Sequence, residues 1–233
     1  MNYMTLGYEN IITIFIAIVG FFIVLGAQIS INSNYSKYKA RKNVRNISGQ
    51  EVARMILDKN GLTDVHVVSV KGNLTDHYDP SRKVVRLSKD IFDGTSIAAI
   101  SVAAHECGHA IQDKENYSFM RIRSALVPFV NFVTYLGYFS LIISLLAGIT
   151  GYLVVGILIL VATLIFQLVT LPVEFDASNR AQKELSTLQL VSVEEQDGVY
   201  KMLKAAAMTY VASVISTLLN ILRLVIMFND RDN

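Results

Sequence analysis

Residues 105–109 read His-Glu-Cys-Gly-His, two imidazoles four positions apart with a carboxylate directly after the first. On an α-helix a four-residue step turns about 400°, so His105 and His109 fall on one face, one turn apart, and can grip a single metal ion. Glu106 stands about 100° round from His105, where it can take a proton from a metal-activated water without being a ligand itself. That division of labour is the chemistry of a zinc hydrolase, with Zn2+ as the expected cofactor. Three fixed positions also coincide in unrelated helices, so the pattern needs an element to carry it and a third ligand to complete it. Residues 95–111 supply the element, reading as a helix. Cys107 lies about 200° round from His105 and is expected to be a buried packing residue. As the single cysteine of the chain, it excludes an intrachain disulfide and a multi-cysteine zinc site, in keeping with a reducing compartment.

A catalytic zinc takes three protein ligands and keeps one position open. The segment Leu171-Pro-Val-Glu-Phe-Asp-Ala-Ser-Asn-Arg180 follows a long apolar run. There Glu174 is expected to open a helix after Pro172. A carboxylate at the end of an apolar run is costly unless solvated or paired, so a metal ion would account for it, as would a place in the first turn of a helix. Asp176 is the rival, but it lies about 200° from Glu174 on a helix, so only one of the two can reach the ion. Glu184, Glu194, Glu195 and Asp197 follow in a polar stretch that reads as a solvated face. His77, Tyr78 and Arg180 can donate to an oxyanion and flank the motifs, although spacing singles out none of them. His66, in a valine-rich segment, reads as structural.

The elements that must position these groups are set by a membrane. With 52% hydrophobic and 17% charged residues and a mean hydropathy of +0.43, the 233-residue chain is too apolar for an ordinary soluble domain and carries one hydrophilic portion. A net charge of +2 leaves no nucleic-acid footprint. Residues 11–31 form an apolar run long enough to span; Glu9 and the lack of any Lys or Arg before the run favour a retained anchor over a cleaved signal. Residues 126–146 and 150–173 form a transmembrane hairpin across Ala147-Gly148-Ile149. A fourth stretch, 205–228, is interrupted by Asn220 and Arg223 and either spans, lies in the interface or packs on the other helices. Lys37, Lys39, Arg41, Lys42 and Arg45 follow the first run, which puts residue 32 onward in the cytoplasm by the positive-inside rule. The hairpin then returns Glu174 to the side that holds His105 and His109.

Five segments are therefore expected: an anchor (1–31), a cytoplasmic catalytic portion (32–125), the hairpin (126–173), a cytoplasmic helix with the third ligand (174–204) and an apolar helix (205–233). Within the catalytic portion, Ser48-Gly-Gln-Glu51 has capping-box spacing. Val52, Met55, Ile56 and Leu62 follow with helical periodicity, and Asn60-Gly61 stops the helix. The valine-rich segments 65–70 and 84–87, linked by Gly72-Asn73 and Asp79-Pro80 turn chemistry, read as two strands of a small sheet. An extended peptide could add to its free edge.

The stretches Ala103-Ala-His-Glu-Cys-Gly-His-Ala-Ile-Gln112, Leu74-Thr-Asp-His-Tyr-Asp-Pro80 and Leu171-Pro-Val-Glu-Phe-Asp-Ala-Ser178 resemble the YugP-like neutral zinc metallopeptidases of bacteria and, more distantly, the membrane gluzincins. The resemblance implies His105, His109 and Glu174 on zinc, with Glu106 as general base. In the distant relatives an Asp stands four residues after that Glu and supports a zinc-bound His; here the position is Ser178, which can still make a weaker hydrogen bond. The expected fold is mainly α: three or four transmembrane helices with a small α+β, zincin-like cytoplasmic domain. The expected protein is a multi-pass cell-membrane endopeptidase that acts on proteins or peptides at the membrane and contacts lipid, with its site on the cytoplasmic side. The apolar spans leave room for an accessory membrane protein or further copies of the chain. The competing expectation is an inactive, partner-binding membrane scaffold; the intact Glu106 argues against it, because a scaffold has no physical need of that carboxylate. Intramembrane cleavage is disfavoured by Lys89, Asp90, Asp93, Asp113, Lys114 and Glu115 around the motif helix.

Overall fold

The computed structural model describes residues 3–72, 75–147 and 152–229, with side chains except at 3–10, 141, 144–147, 152 and 153. Asn73 of the Gly72-Asn73 turn, Leu74, the 148–151 link of the expected hairpin and residues 230–233 lie outside the described residues. In chain order the elements are α1 (Tyr3–Lys39), α2 (Gly49–Lys59), β1 (His66–Val70), β2 (His77–Asp79), β3 (Val84–Ser88), α3 (Lys89–Phe92), α4 (Ile97–Lys114), α5 (Ser118–Ala147), α6 (Tyr152–Thr187) and α7 (Val193–Asn229). They make two compact units, one from residues 1–28, 122–170 and 209–233, the other from 29–121 and 171–208.

The first unit is built from apolar helix. Among the described residues, three helical segments are long and apolar enough to cross a membrane: Ile11–Lys39, Val154–Thr187 and Val193–Asn229. Only 6% of the apolar window of the second is buried, and Phe15, Phe21, Phe139, Leu158 and Leu222 stand exposed. Such outward apolar faces are stable when the surrounding medium is hydrocarbon. The 205–228 stretch therefore lies in one of the candidate spans, within a single helix of 37 residues, and the 126–146 stretch lies in α5.

The second unit holds the hydrophilic elements around one core. Ser48 caps α2 in a reciprocal box, its hydroxyl accepting from Glu51 N–H and its own N–H donating to the Glu51 carboxylate. Asn60 ends the helix and Gly61 turns the chain at φ +65°. Val52, Ile56 and Leu57 of α2 are buried against Val85 and Leu87 of β3 and Ile100 and Ala103 of α4, whereas Met55 is exposed.

The sheet differs from the two-strand expectation. It has three strands in the order β1-β3-β2, with β1 parallel and β2 antiparallel to the central β3. Residues 77–79, expected to adjoin a turn, pair as His77 with Arg86, Tyr78 with Val85 and Asp79 with Val84. The Asp79 carboxylate closes the β2–β3 turn by accepting from Arg82 N–H and from Arg86. Two parallel strands cannot be joined by a tight turn, so the chain between β1 and β3 has room to contribute the third strand.

Two further corrections concern the later helices. Glu174 does not open a helix, because α6 runs without interruption through Pro172. A proline costs a helix one backbone hydrogen bond, which a 36-residue helix tolerates. Nor are the acids after it all solvated: Glu184 and Glu195 are buried. Glu184 pairs with Lys59 at 2.9 Å, and Glu195 accepts from Val44 N–H and Ser192 N–H at 2.7 and 2.9 Å. Glu194 and Asp197 are exposed as expected.

Candidate metal centre

Ser96 accepts from Ala99 N–H at the start of α4, and the helix carries Ala98, Ala99, Ala103, Ala104 and Ala110 fully or almost fully buried. These small residues let neighbouring elements approach the motif helix closely. Gly108 is the tightest point: a Cβ there would meet the Ala177 carbonyl oxygen of α6 at 2.5 Å. Cys107 faces the other way, fully buried with its thiol toward the Ala53 carbonyl, and burial pushes that thiol well above its ordinary pKa.

The close approach of α4 and α6 brings three expected ligands together. His105 Nε2 stands 3.3 Å and His109 Nε2 3.8 Å from Glu174 Oε2, and the two rings meet edge to face with centroids 4.8 Å apart. Ligand atoms of His105, His109 and Glu174 all lie within 4.8 Å of one another, so the group could hold a metal ion. Two imidazole nitrogens and a carboxylate oxygen are a donor set used by catalytic zinc. Glu174 is only 3% exposed, and a carboxylate so buried needs compensating positive charge, which fits a bound cation.

Behind each imidazole stands a further partner. Ser178 Oγ lies 3.3 Å from His105 Nδ1, the weaker contact expected of this position. His109 Nδ1 lies 2.9 Å from Gln112 Oε1. Asp176 is outside the cluster and accepts from Gln112 Nε2 at 2.8 Å and from Arg180 Nε at 2.5 Å.

Glu106 is buried next to the cluster and accepts the Tyr78 N–H of β2 at 3.0 Å. Burial pushes its carboxyl up to about 7; His105 and the Tyr78 N–H pull it down, while Glu174 and Asp76 push it up. The edge strand thus touches the motif helix directly, and the Tyr78 hydroxyl donates to Asp113 at 2.9 Å. The other expected oxyanion donors are engaged elsewhere. The His77 ring contacts the Thr75 carbonyl and Arg86, and Arg180 bridges Asp176 and Glu115. His66 opens β1 in an exposed position.

The family described as "Putative neutral zinc metallopeptidase" matches residues 13–229, a range that takes in both histidines, Glu106 and Glu174. The chain belongs to this family. It is also 44% identical over 220 residues to the "Putative membrane protease YugP" of Bacillus subtilis (strain 168), covering 94% of this chain and 98% of that protein. No solved structure matches. As a member of a zinc-peptidase family with three candidate spans, the protein is a membrane metalloprotease by kinship, and its His105-His109-Glu174 cluster is a possible metal site. Gln112 is the functional candidate that sequence reasoning passed over: it stands inside the motif stretch, and only its complete burial marks it out.

Proposed function

We propose that the protein is a membrane-embedded zinc endopeptidase that hydrolyses internal peptide bonds of membrane or membrane-proximal proteins. His105, His109 and Glu174 hold the zinc, and Glu106 is the general base. The observation that carries this reading is the convergence of the three ligand atoms within 4.8 Å, with the Glu106 carboxylate buried on the same helix. Bound zinc supplies a Lewis acid that acidifies water and polarises a carbonyl. Glu106 takes a proton from the attacking water as its oxygen bonds to the carbonyl carbon, then delivers that proton to the amide nitrogen, and the carbon–nitrogen bond breaks with its electron pair leaving on the amine. Its carboxyl suits both directions of transfer near neutrality. An extended peptide laid along the free edge of β2 would reach Glu106 at Tyr78, whose N–H already points there.

The basic run from Lys37 to Arg45 supports a cytoplasmic position for the catalytic elements. The five segments follow from it: anchor, catalytic portion, hairpin, ligand-bearing helix and a final span. Lipid surrounds the spans, and an accessory membrane protein or further copies of the chain can pack on their exposed faces. Purified protein is expected to carry about one zinc per chain. Glu106→Gln should keep the metal while abolishing cleavage of an unfolded membrane-protein substrate; a wild type that binds no zinc, or a Glu106→Gln variant that still cleaves, would sink the reading.

A further inference from the structure

The contacts behind His109 identify a positioning device. Gln112 is completely buried. Its amide nitrogen lies 2.8 Å from the Val173 carbonyl and 2.8 Å from Asp176 Oδ2. A carbonyl oxygen can only accept, and so can a carboxylate held by Arg180, so the NH2 group of Gln112 must face them and Oε1 must face His109. That oxygen is itself only an acceptor, so the contact at 2.9 Å requires a proton on His109 Nδ1. With Nδ1 protonated, Nε2 is the nitrogen turned toward Glu174. The chain continues outward: Asp176 accepts from Arg180 Nε at 2.5 Å, Arg180 Nη1 donates to Glu115 Oε2 at 2.6 Å, and the guanidinium lies over the Tyr117 ring at 5.9 Å.

We infer that Gln112 and Asp176 form a positioning relay for His109. The relay fixes its ring as the Nδ1–H form, presents Nε2 to the metal, and backs the imidazole with a carboxylate through an intervening amide. It does for His109 what a directly bonded carboxylate does for many metal-bound histidines. The Ser178 hydroxyl lies 3.3 Å from His105 Nδ1; it is a group that either donates or accepts and therefore does not by itself select a ring form. The relay also gives a role to the half-buried acidic residue two positions from Glu174, which stands behind the site without joining the ligand cluster.

The inference rests on His105, His109 and Glu174 being the metal ligands. The test uses the full-length protein in detergent, with zinc affinity measured by chelator competition and cobalt as a paramagnetic substitute. In the cobalt form, the His109 Nδ1–H should give a shifted proton resonance that exchanges slowly with water. Gln112→Leu should lower zinc affinity by about 10–100-fold and abolish that resonance. Should Gln112→Leu not fold, Asp176→Asn alone leaves the buried volume almost unchanged and should still weaken zinc and speed the proton exchange. Wild-type affinity and exchange in the single variants would overturn the relay and leave the ligand assignment standing. Absence of zinc from the wild type would overturn both.

Discussion

Gly108→Ala tests the geometry of the site without touching a ligand. The new Cβ would lie 2.5 Å from the Ala177 carbonyl oxygen and 3.1 Å from its Cα and carbonyl carbon, about 0.9 Å inside the 3.4 Å at which ordinary contact begins. These are backbone atoms of α6, so no side chain can swing away and the two helices must part. Two effects on stability oppose each other: alanine in a helix interior is favoured over glycine by about 1 kcal/mol, while overpacking a tight contact costs about 1–3 kcal/mol. Overpacking wins, and the net loss is about 0–2 kcal/mol. The effect on the site is larger, because metal–ligand distances tolerate only about 0.2 Å. Glu174 rides on α6, and both histidines ride on α4. A misplacement approaching 1 Å costs about 100-fold in rate, and zinc affinity should fall with it. Thermal unfolding and chelator competition on the same preparation separate the two effects. A variant more stable than wild type, with undiminished zinc binding and cleavage, would refute the close approach of α4 and α6 on which the site depends.

Two other perturbations discriminate among the named residues. With Glu174 as the proposed third ligand, Glu174→Ala should weaken zinc far more than Asp176→Ala, whose loss should stay within the roughly 10–100-fold expected of a supporting partner. Equal or reversed losses in a zinc titration would show that the wrong carboxylate has been placed on the metal. Because burial holds the Cys107 thiol neutral, alkylation of the native protein should stay slow between pH 7 and pH 9, a range over which an exposed thiol becomes reactive. Mass spectrometry should find Cys107 modified only after unfolding; rapid stoichiometric labelling of folded protein would contradict its place in the core.

The sequence disclosed structure at several places where the deciding contacts were local. The Ser48–Glu51 box, the Asn60-Gly61 stop and the start of the motif helix near Ser96 each depend on residues within a turn of one another, and each stands where it was expected. The apolar runs were legible for a different reason, since their composition alone sets the medium in which they are stable. The sheet was not legible in full. A parallel pairing of β1 with β3 is chosen by packing against α2 and α4, not by the residues between the strands, and β2 has only three residues, too few to show a period. Glu184 and Glu195 misled for the same reason: a charged residue reads as solvated until its partner is known, and Lys59 and the Val44 N–H are more than a hundred positions away.

At the site itself, periodicity served better than residue type. A turn of about 200° between Glu174 and Asp176 required that only one of them reach the ion, and Glu174 alone joins the histidines. The same angle places Asp176 on the flank of α6, where the Gln112 amide meets it. Gln112 in turn lies three positions after His109, close enough along α4 for its carbonyl oxygen to reach back to that ring. Nothing in the one-dimensional pattern separates such a glutamine from one that faces solvent. Its burial appears only once α6 is laid across α4 at Gly108 and Ala177. Two carboxylates two residues apart on one helix therefore stand in different places, Glu174 in the cluster with both histidines and Asp176 behind the Gln112 amide that contacts the His109 ring.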